Sequence, residues 1–217
     1  MLKKYAASMA GKNVLLHKFY GHDQKKCGVN AFFSQWNMDA PFNMKINGRV
    51  MYFLCNEQAM MFVKATMFGS HDVAGKIMEK THPRDHKALG RKSDFNQKIW
   101  DRNRERVVCA INYAKFAQNI MPRGVLQNTA GRLLVEASPY DRIYGIGMGA
   151  GNPLSNQISR WNGLNTLGFL ETFVRCYMFW SKEDDHLVRI IGQHNFDDME
   201  KGGWFDDNLN FQIYPQS

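Results

Sequence analysis

Asn56-Glu57-Gln58-Ala59-Met60-Met61-Phe62-Val63-Lys64-Ala65-Thr66-Met67-Phe68 is apolar at nearly every position, yet it carries one carboxylate and one amine. Read as a helix, it brings Glu57 and Lys64, seven residues apart, back to the same face two turns on. At a rise of ~1.5 Å per residue their Cα atoms stand ~10.5 Å apart along the axis. That gap suits a small ligand gripped between two polar ends and is too long for a relaxed salt bridge. The plainer reading is a core helix whose Glu57 caps its own N-terminus and whose Lys64 snorkels to solvent. Spacing alone favours the plainer one.

Working outward, Ile46-Asn47-Gly48-Arg49 reads as a hairpin turn, because Asn-Gly accepts the positive φ values such a turn requires. Val50–Leu54 is its returning strand and feeds the helix, with Asn56 as the expected N-cap and Glu57 in the first turn. Upstream, Val14–Leu16 and Phe19-Tyr20 are short strand positions, and 21–30 reads as a polar loop. Downstream, a second helix is expected over Asp72–Lys80, before Pro83. Lys87–Arg91 is a basic loop or helix end. A long helix is expected over Phe95–Asn119, on the periodicity of Val107, Val108, Ile111, Ala114, Lys115 and Asn119, with Pro122 and Gly124 ending it. Leu133–Val135 is a short strand. Gly163–Trp180 is an apolar helix turning Leu167, Leu170, Phe173 and Val174 inward.

The 217 residues suffice for one domain, or one with an appendage, and 44% hydrophobic residues suffice for a core. No run of 18 apolar residues suggests a membrane span, and no secretory h-region follows Met1, so a cytoplasmic location is expected (host cytoplasm if the source is viral). Cys27, Cys55, Cys109 and Cys176 are dispersed and read as free thiols. Charge is uneven: 181–217 hold eight acidic and three basic side chains, leaving +13 on the other 180 residues. So basic a body favours an anionic partner such as a phosphate-bearing metabolite or nucleic acid. The chain is expected to divide into a domain over 1–180 and an acidic, aromatic extension over 181–217, whose Trp204-Phe205 and Phe211–Tyr214 would pack back on the core.

Familiar catalytic signatures are missing: there is no G-x-S-x-G, no Walker A and no H-E-x-x-H. His82 and His86 have helical metal-pair spacing, but Pro83 lies between them and no third ligand accompanies them, so no metal or cofactor is expected. Gly145, Gly147, Gly149 and Gly151 alternate as in a nucleotide loop. Asn152-Pro153 follows where the phosphate-binding helix should start, so a dinucleotide fingerprint fails, and a loop that approaches a ligand closely remains. Cys55 precedes a helix N-terminus, which favours a thiolate, but no histidine is near it in sequence.

Together, Phe33-Ser34-Gln35-Trp36, Asn56-Glu57-Gln58 with Met60-Met61 and Lys64-Ala65, Gly90-Arg91 and Trp100 resemble the NADAR (YbiA-like) family. The likeness continues through Ala114-Lys115-Phe116 with Gln118-Asn119, and through Glu136-Ala137-Ser138 with Asp141, Gly145 and Gly147. It closes on Trp161-x-Gly163-x-Asn165-x-Leu167-Gly168, so that it spans residues 31–178. Tyr144 stands where the family usually has Trp, and Cys55 where a small hydroxyl residue is usual. The resemblance implies a mainly α fold, a single YbiA-like helical domain with a few short strands, that acts as an N-glycosidase. One branch of the family acts on ribosylamino-pyrimidine phosphates of riboflavin synthesis, and another removes ADP-ribose from guanine in nucleic acid.

Cleaving a C1–N bond builds positive charge on the ribose, which a nearby carboxylate stabilises. Glu57 is the expected carboxylate. Lys64 is the expected amine, to attack C1 or form a Schiff base with the opened sugar. Asp141 is expected to orient a ribose hydroxyl or water, or simply to cap a turn before Ile143. Trp100 would stack on the departing base, and Gly90-Arg91 with the Gly145 and Gly147 loop would hold phosphate. Ser34, Trp36, Asn119 and Glu136 complete the expected binding set. The expected partner is an ADP-ribose or phosphoribosyl substrate, carried on nucleic acid in one reading; the alternatives are a riboflavin-pathway glycosidase and a non-catalytic ADP-ribose binder.

Overall fold

The computed structural model describes residues 12–191 and 210–213. In chain order the elements are β1 (Leu16–Phe19), α1 (Gln24–Cys27), β2 (Phe42–Ile46), β3 (Arg49–Phe53), α2 (Asn56–Met67), α3 (His71–Glu79), α4 (Pro83–Gly90), α5 (Gln97–Gln118), α6 (Ile120–Gln127), β4 (Leu133–Glu136), α7 (Thr166–Phe179), α8 (Asp185–Ile191) and β5 (Asn210–Phe211). Helices dominate and the strands are short, as a mainly α fold requires. No helix among the described residues is long and apolar enough to cross a membrane. Two compact units emerge, each from two stretches of chain: 12–34 with 123–191, and 35–122 with 210–213.

In the second unit β2 and β3 are antiparallel, Phe42 opposite Phe53 and Ile46 opposite Arg49. They are joined by Asn47 (φ 49°) and Gly48 (φ 81°). Both positive angles match the right-handed twist of the flanking strands, so the Asn-Gly reading holds for the reason it was made. β5 adds in parallel to the other edge of β2, and the amide of Ile213 donates to Asn47 Oδ1 at 2.7 Å. Arg106 of α5 donates to the Gln212 carbonyl at 2.9 Å and lays its guanidinium over Phe211. Trp204, Phe205 and Tyr214 lie outside the described residues.

α2 is packed by α3, α4 and α5 and follows directly on β3. Ten of its twelve residues are buried, so it is a central helix and its polar groups need internal partners. Its N-cap is Cys55, not Asn56. Asn56 lies inside the first turn and donates from Nδ2 to Asn112 Oδ1 at 2.7 Å, which ties α2 to α5. Capping propensity therefore gave way to a buried amide pair. The long helix begins at Gln97, capped by Asn96, and ends at Asn119 rather than at Pro122 and Gly124, both of which lie within α6. Within 21–30, expected as loop, residues 24–27 form α1 and residues 28–30 open a 3-10 helix that runs on to Phe33.

In the first unit β1 pairs in parallel with β4. The other side of β4 is held by α7. Asn165, left-handed at φ 53°, accepts from Glu136 N through Oδ1 and donates from Nδ2 to the Leu134 carbonyl, both at 2.9 Å. Thr172 Oγ1 accepts from Leu134 N. A Cβ at Gly168 would collide with the Leu134 carbonyl, so the Asn165-x-x-Gly168 pattern is the dock of α7 on β4. At the far end of α7, Arg175 is fully buried and pairs with Asp184 at 2.6 Å. Thr129 Oγ1 and Gly131 N complete the network around the pair. Asp184→Ala strands a buried guanidinium, and urea unfolding is expected to show a loss of about 3–5 kcal/mol.

Candidate functional site

Glu57 and Lys64 are both buried, at 3% and 6% exposure. The plainer reading keeps its buried core helix with Glu57 in the first turn and loses the snorkelling lysine. Glu57 turns its Oε2 to the indole N–H of Trp36, which donates at 3.1 Å. The backbone assists: Glu57 N donates to the Gln35 carbonyl at 2.9 Å, pinning the Gln35-Trp36 segment against the first turn of α2. The carboxylate sits at the N-terminal end of α2 and the amine in its last turn, the placement the helix dipole favours for both charges.

The Lys64 amine lies over the ring of Phe95, 3.1 Å from its centroid, and 5.6 Å from the centroid of Trp100. Among the described residues no carboxylate stands within ion-pair distance of it. Burial, and after it the like charge of Arg91, pull its pKa down from 10.5 to about 8. Neutral amine is therefore accessible near neutral pH. An ordinary surface lysine has almost none.

Phe95 was not among the expected residues. A usable signal existed: it stands immediately before the N-cap Asn96, and Trp100 occupies the fourth helical position, the spacing at which two apolar side chains staple a helix entry. Gln35 was missed as well. It is buried at 7%, and neither atom of its carboxamide finds a hydrogen-bond partner among the described residues.

The remaining expected residues divide by what holds them. Trp36 is half-buried, with the Lys87 amine 5.7 Å from its ring. Trp100 is buried at 6%, with the Lys64 amine over its ring. Arg91 is exposed and bears on Lys64 through charge. Gly90 is buried against Met61, and a Cβ there would overlap the thioether, so its small size serves the close approach of α4 to α2. Gly90→Ala is expected to cost about 1–3 kcal/mol in thermal or urea unfolding, since overpacking displaces the central helix. Asn119 donates both amide hydrogens inward, to the carbonyls of Pro41 (3.0 Å) and Lys115 (2.8 Å).

In the other unit, Asp141 Oδ1 accepts from Ile143 N and Tyr144 N, each at 2.8 Å, as a turn cap does. Glu136 ends β4, and its carbonyl accepts from Ile146 N. A Cβ at Gly145 would press on Ser138 and on the Asp141 and Glu136 carbonyls, while Gly147 needs φ 68°. Ser34 closes the 3-10 turn by donating its amide to the Ala31 carbonyl. These residues build the loop they belong to.

His86 supplies Cys55 with the histidine that proximity in sequence did not reveal: Cys55 Sγ and His86 Nδ1 are 3.8 Å apart and both residues are fully buried. His86 Nε2 faces the Lys80 carbonyl at 2.9 Å, so the ring carries its proton there and Nδ1 accepts from the thiol. Burial raises the Cys55 thiol to about 11 and lowers the imidazole. Both shifts oppose a thiolate–imidazolium pair, so the contact is a structural link. His82, the other half of the expected metal spacing, caps α4 by accepting from Arg84 N.

The fold is mainly helical with a few short strands, and its central helix carries a buried lysine and glutamate. The NADAR domain profile matches residues 18–178, and the chain belongs to that family. It is 38% identical over 156 residues to the N-glycosidase R617 of Acanthamoeba polyphaga mimivirus, a match covering 69% of this chain and 88% of that protein. It is 34% identical over 139 residues to the protein irg-1 of Caenorhabditis elegans, covering 63% of this chain but only 65% of that relative. In fold it is similar to the solution structure of Escherichia coli YbiA, with a TM-score of 0.58 at 23% identity, over 76% of this chain and 84% of YbiA.

Proposed function

We propose that the protein is an N-glycosidase that hydrolyses the C1–N bond of a phosphorylated ribosyl group, and that its substrate is ADP-ribose attached to guanine in DNA. The observation that carries the reading is the enclosed amine of Lys64, lowered to about 8, on the same buried helix as Glu57. The name of the viral relative supports the reaction class. The basic balance of the chain outside its acidic C-terminal stretch supports a polyanionic carrier.

As the C1–N bond breaks, its electron pair leaves with the base nitrogen, which takes up a proton, and positive charge grows at C1. Glu57 stabilises that charge from a site where little water screens it. Neutral Lys64 bonds to C1 and gives up both its protons, one balancing the proton taken by the departing base and the other passing to the ring oxygen as the C1–O bond breaks and the sugar opens to a Schiff base. Water then adds to the imine carbon and expels the amine, returning free ADP-ribose and the starting enzyme. The balance is one water consumed for each base released, with no redox step.

Because attack needs the neutral amine, adduct formation is expected to rise about tenfold from pH 7 to pH 9 and then level off, following a group near 8. A rate still climbing above pH 10 would describe an ordinary lysine. Substrate choice is tested by incubating the protein in parallel with ADP-ribosylated DNA and with a ribosylamino-pyrimidine phosphate. Release of ADP-ribose from the DNA alone is expected. Release from the pyrimidine alone selects the riboflavin-type branch, and binding without release from either leaves an ADP-ribose binder.

A further inference from the structure

We propose that Phe95 is a positioning residue that holds the Lys64 ammonium on its ring face and fixes the side from which that amine is offered to substrate. The inference rests on the catalytic reading of Lys64 given above. Phe95 is set firmly. Two residues before it, Ser93 donates to the Gly90 carbonyl at 2.9 Å, and one residue after it, Asn96 caps α5 by accepting from Lys98 N and Ile99 N. Phe68, the residue that ends α2, stands 6.0 Å from it, ring to ring. Phe95 and Trp100 thus hold the two positions of a helix-entry staple, and Lys64 of the neighbouring helix brings its amine to both rings.

The chemistry follows from the ring quadrupole. An aromatic face attracts an ammonium and has little hold on a neutral amine. With the ring centroid 3.1 Å from Nζ, one side of the nitrogen is closed, and a reacting carbon must come from the other. The protonated lysine is therefore docked and aimed. Loss of the proton releases it on the open side at the moment it becomes nucleophilic. Two influences disfavour the same charge, burial and Arg91 at the end of α4, while the Trp100 ring 5.6 Å away acts in the same sense as Phe95. Phe95 opposes those two.

The test reads Lys64 directly, by NMR titration of the 13Cε signal in protein carrying labelled lysine, with the resonance identified by its loss in Lys64→Arg. In Phe95→Leu the midpoint is expected to fall by about half to one pH unit, since the apolar bulk remains and the ring face is gone. Phe95→Tyr is expected to titrate like wild type. Pentafluorophenylalanine at position 95 keeps the shape and withdraws charge from the face, so it is expected to shift the midpoint in the same direction as leucine, even if the leucine variant fails to fold. An unmoved midpoint in the fluorinated protein overturns the proposal, whatever happens to turnover. A midpoint that falls while the pH profile of turnover stays put supports the Phe95 contact and removes Lys64 from the chemistry.

Discussion

Lys64→Ala is expected to lower turnover by ~10³-fold or more while leaving the fold intact, because the nucleophile and its covalent route are both lost. The side chain is buried but takes part in no ion pair or hydrogen bond among the described residues, so its removal leaves no charge without its counterion. Lys64→Arg separates nucleophilicity from charge. A guanidinium stays protonated at any working pH, so this variant keeps the cation and is expected to be as inactive as alanine. Steady-state release of ADP-ribose, with circular dichroism to verify folding, checks both. Arginine retaining a tenth or more of wild-type turnover would show that Lys64 supplies only positive charge.

Glu57→Gln is expected to lower kcat by ~10²–10³-fold with KM little changed, since the carboxylate meets positive charge that exists in the transition state and not in the bound substrate. The substitution is nearly isosteric. The glutamine Oε1 can still accept the indole N–H that Trp36 now gives to the carboxylate, so the effect isolates the charge. A matching rise in KM with kcat preserved would assign Glu57 to ground-state binding.

Much of this was legible in the chain. The central helix announced itself because a mostly apolar run of that length outlasts an ordinary strand, and the Asn47-Gly48 turn because few residue pairs tolerate two positive φ values. Helical periodicity placed Glu57 and Lys64 on one face, while their spacing alone favoured the plainer reading. What surrounds them comes from other elements: Trp36, before β2, and Trp100, in α5, were named only through the family resemblance, and Phe95, at the entry to α5, was not named at all. Glycine carried two readings at once. Gly90 and Gly145 looked like places for a phosphate to approach, and the structure fills the space of their missing Cβ atoms with Met61 and with the Ser138 turn. Absence of a side chain serves a ligand and a neighbouring backbone alike, and the sequence does not distinguish them. The Cys55–His86 contact spans 31 residues and depends on how α4 packs on α2, so no local spacing could disclose it.

The covalent role of Lys64 is tested most directly by borohydride reduction during turnover of ADP-ribosylated DNA, followed by peptide mapping. The expected result is one reduced sugar adduct on the peptide that carries Lys64, absent from Lys64→Ala. An adduct on another lysine, such as the fully buried Lys115, or turnover at wild-type rates with no adduct trapped, would contradict it.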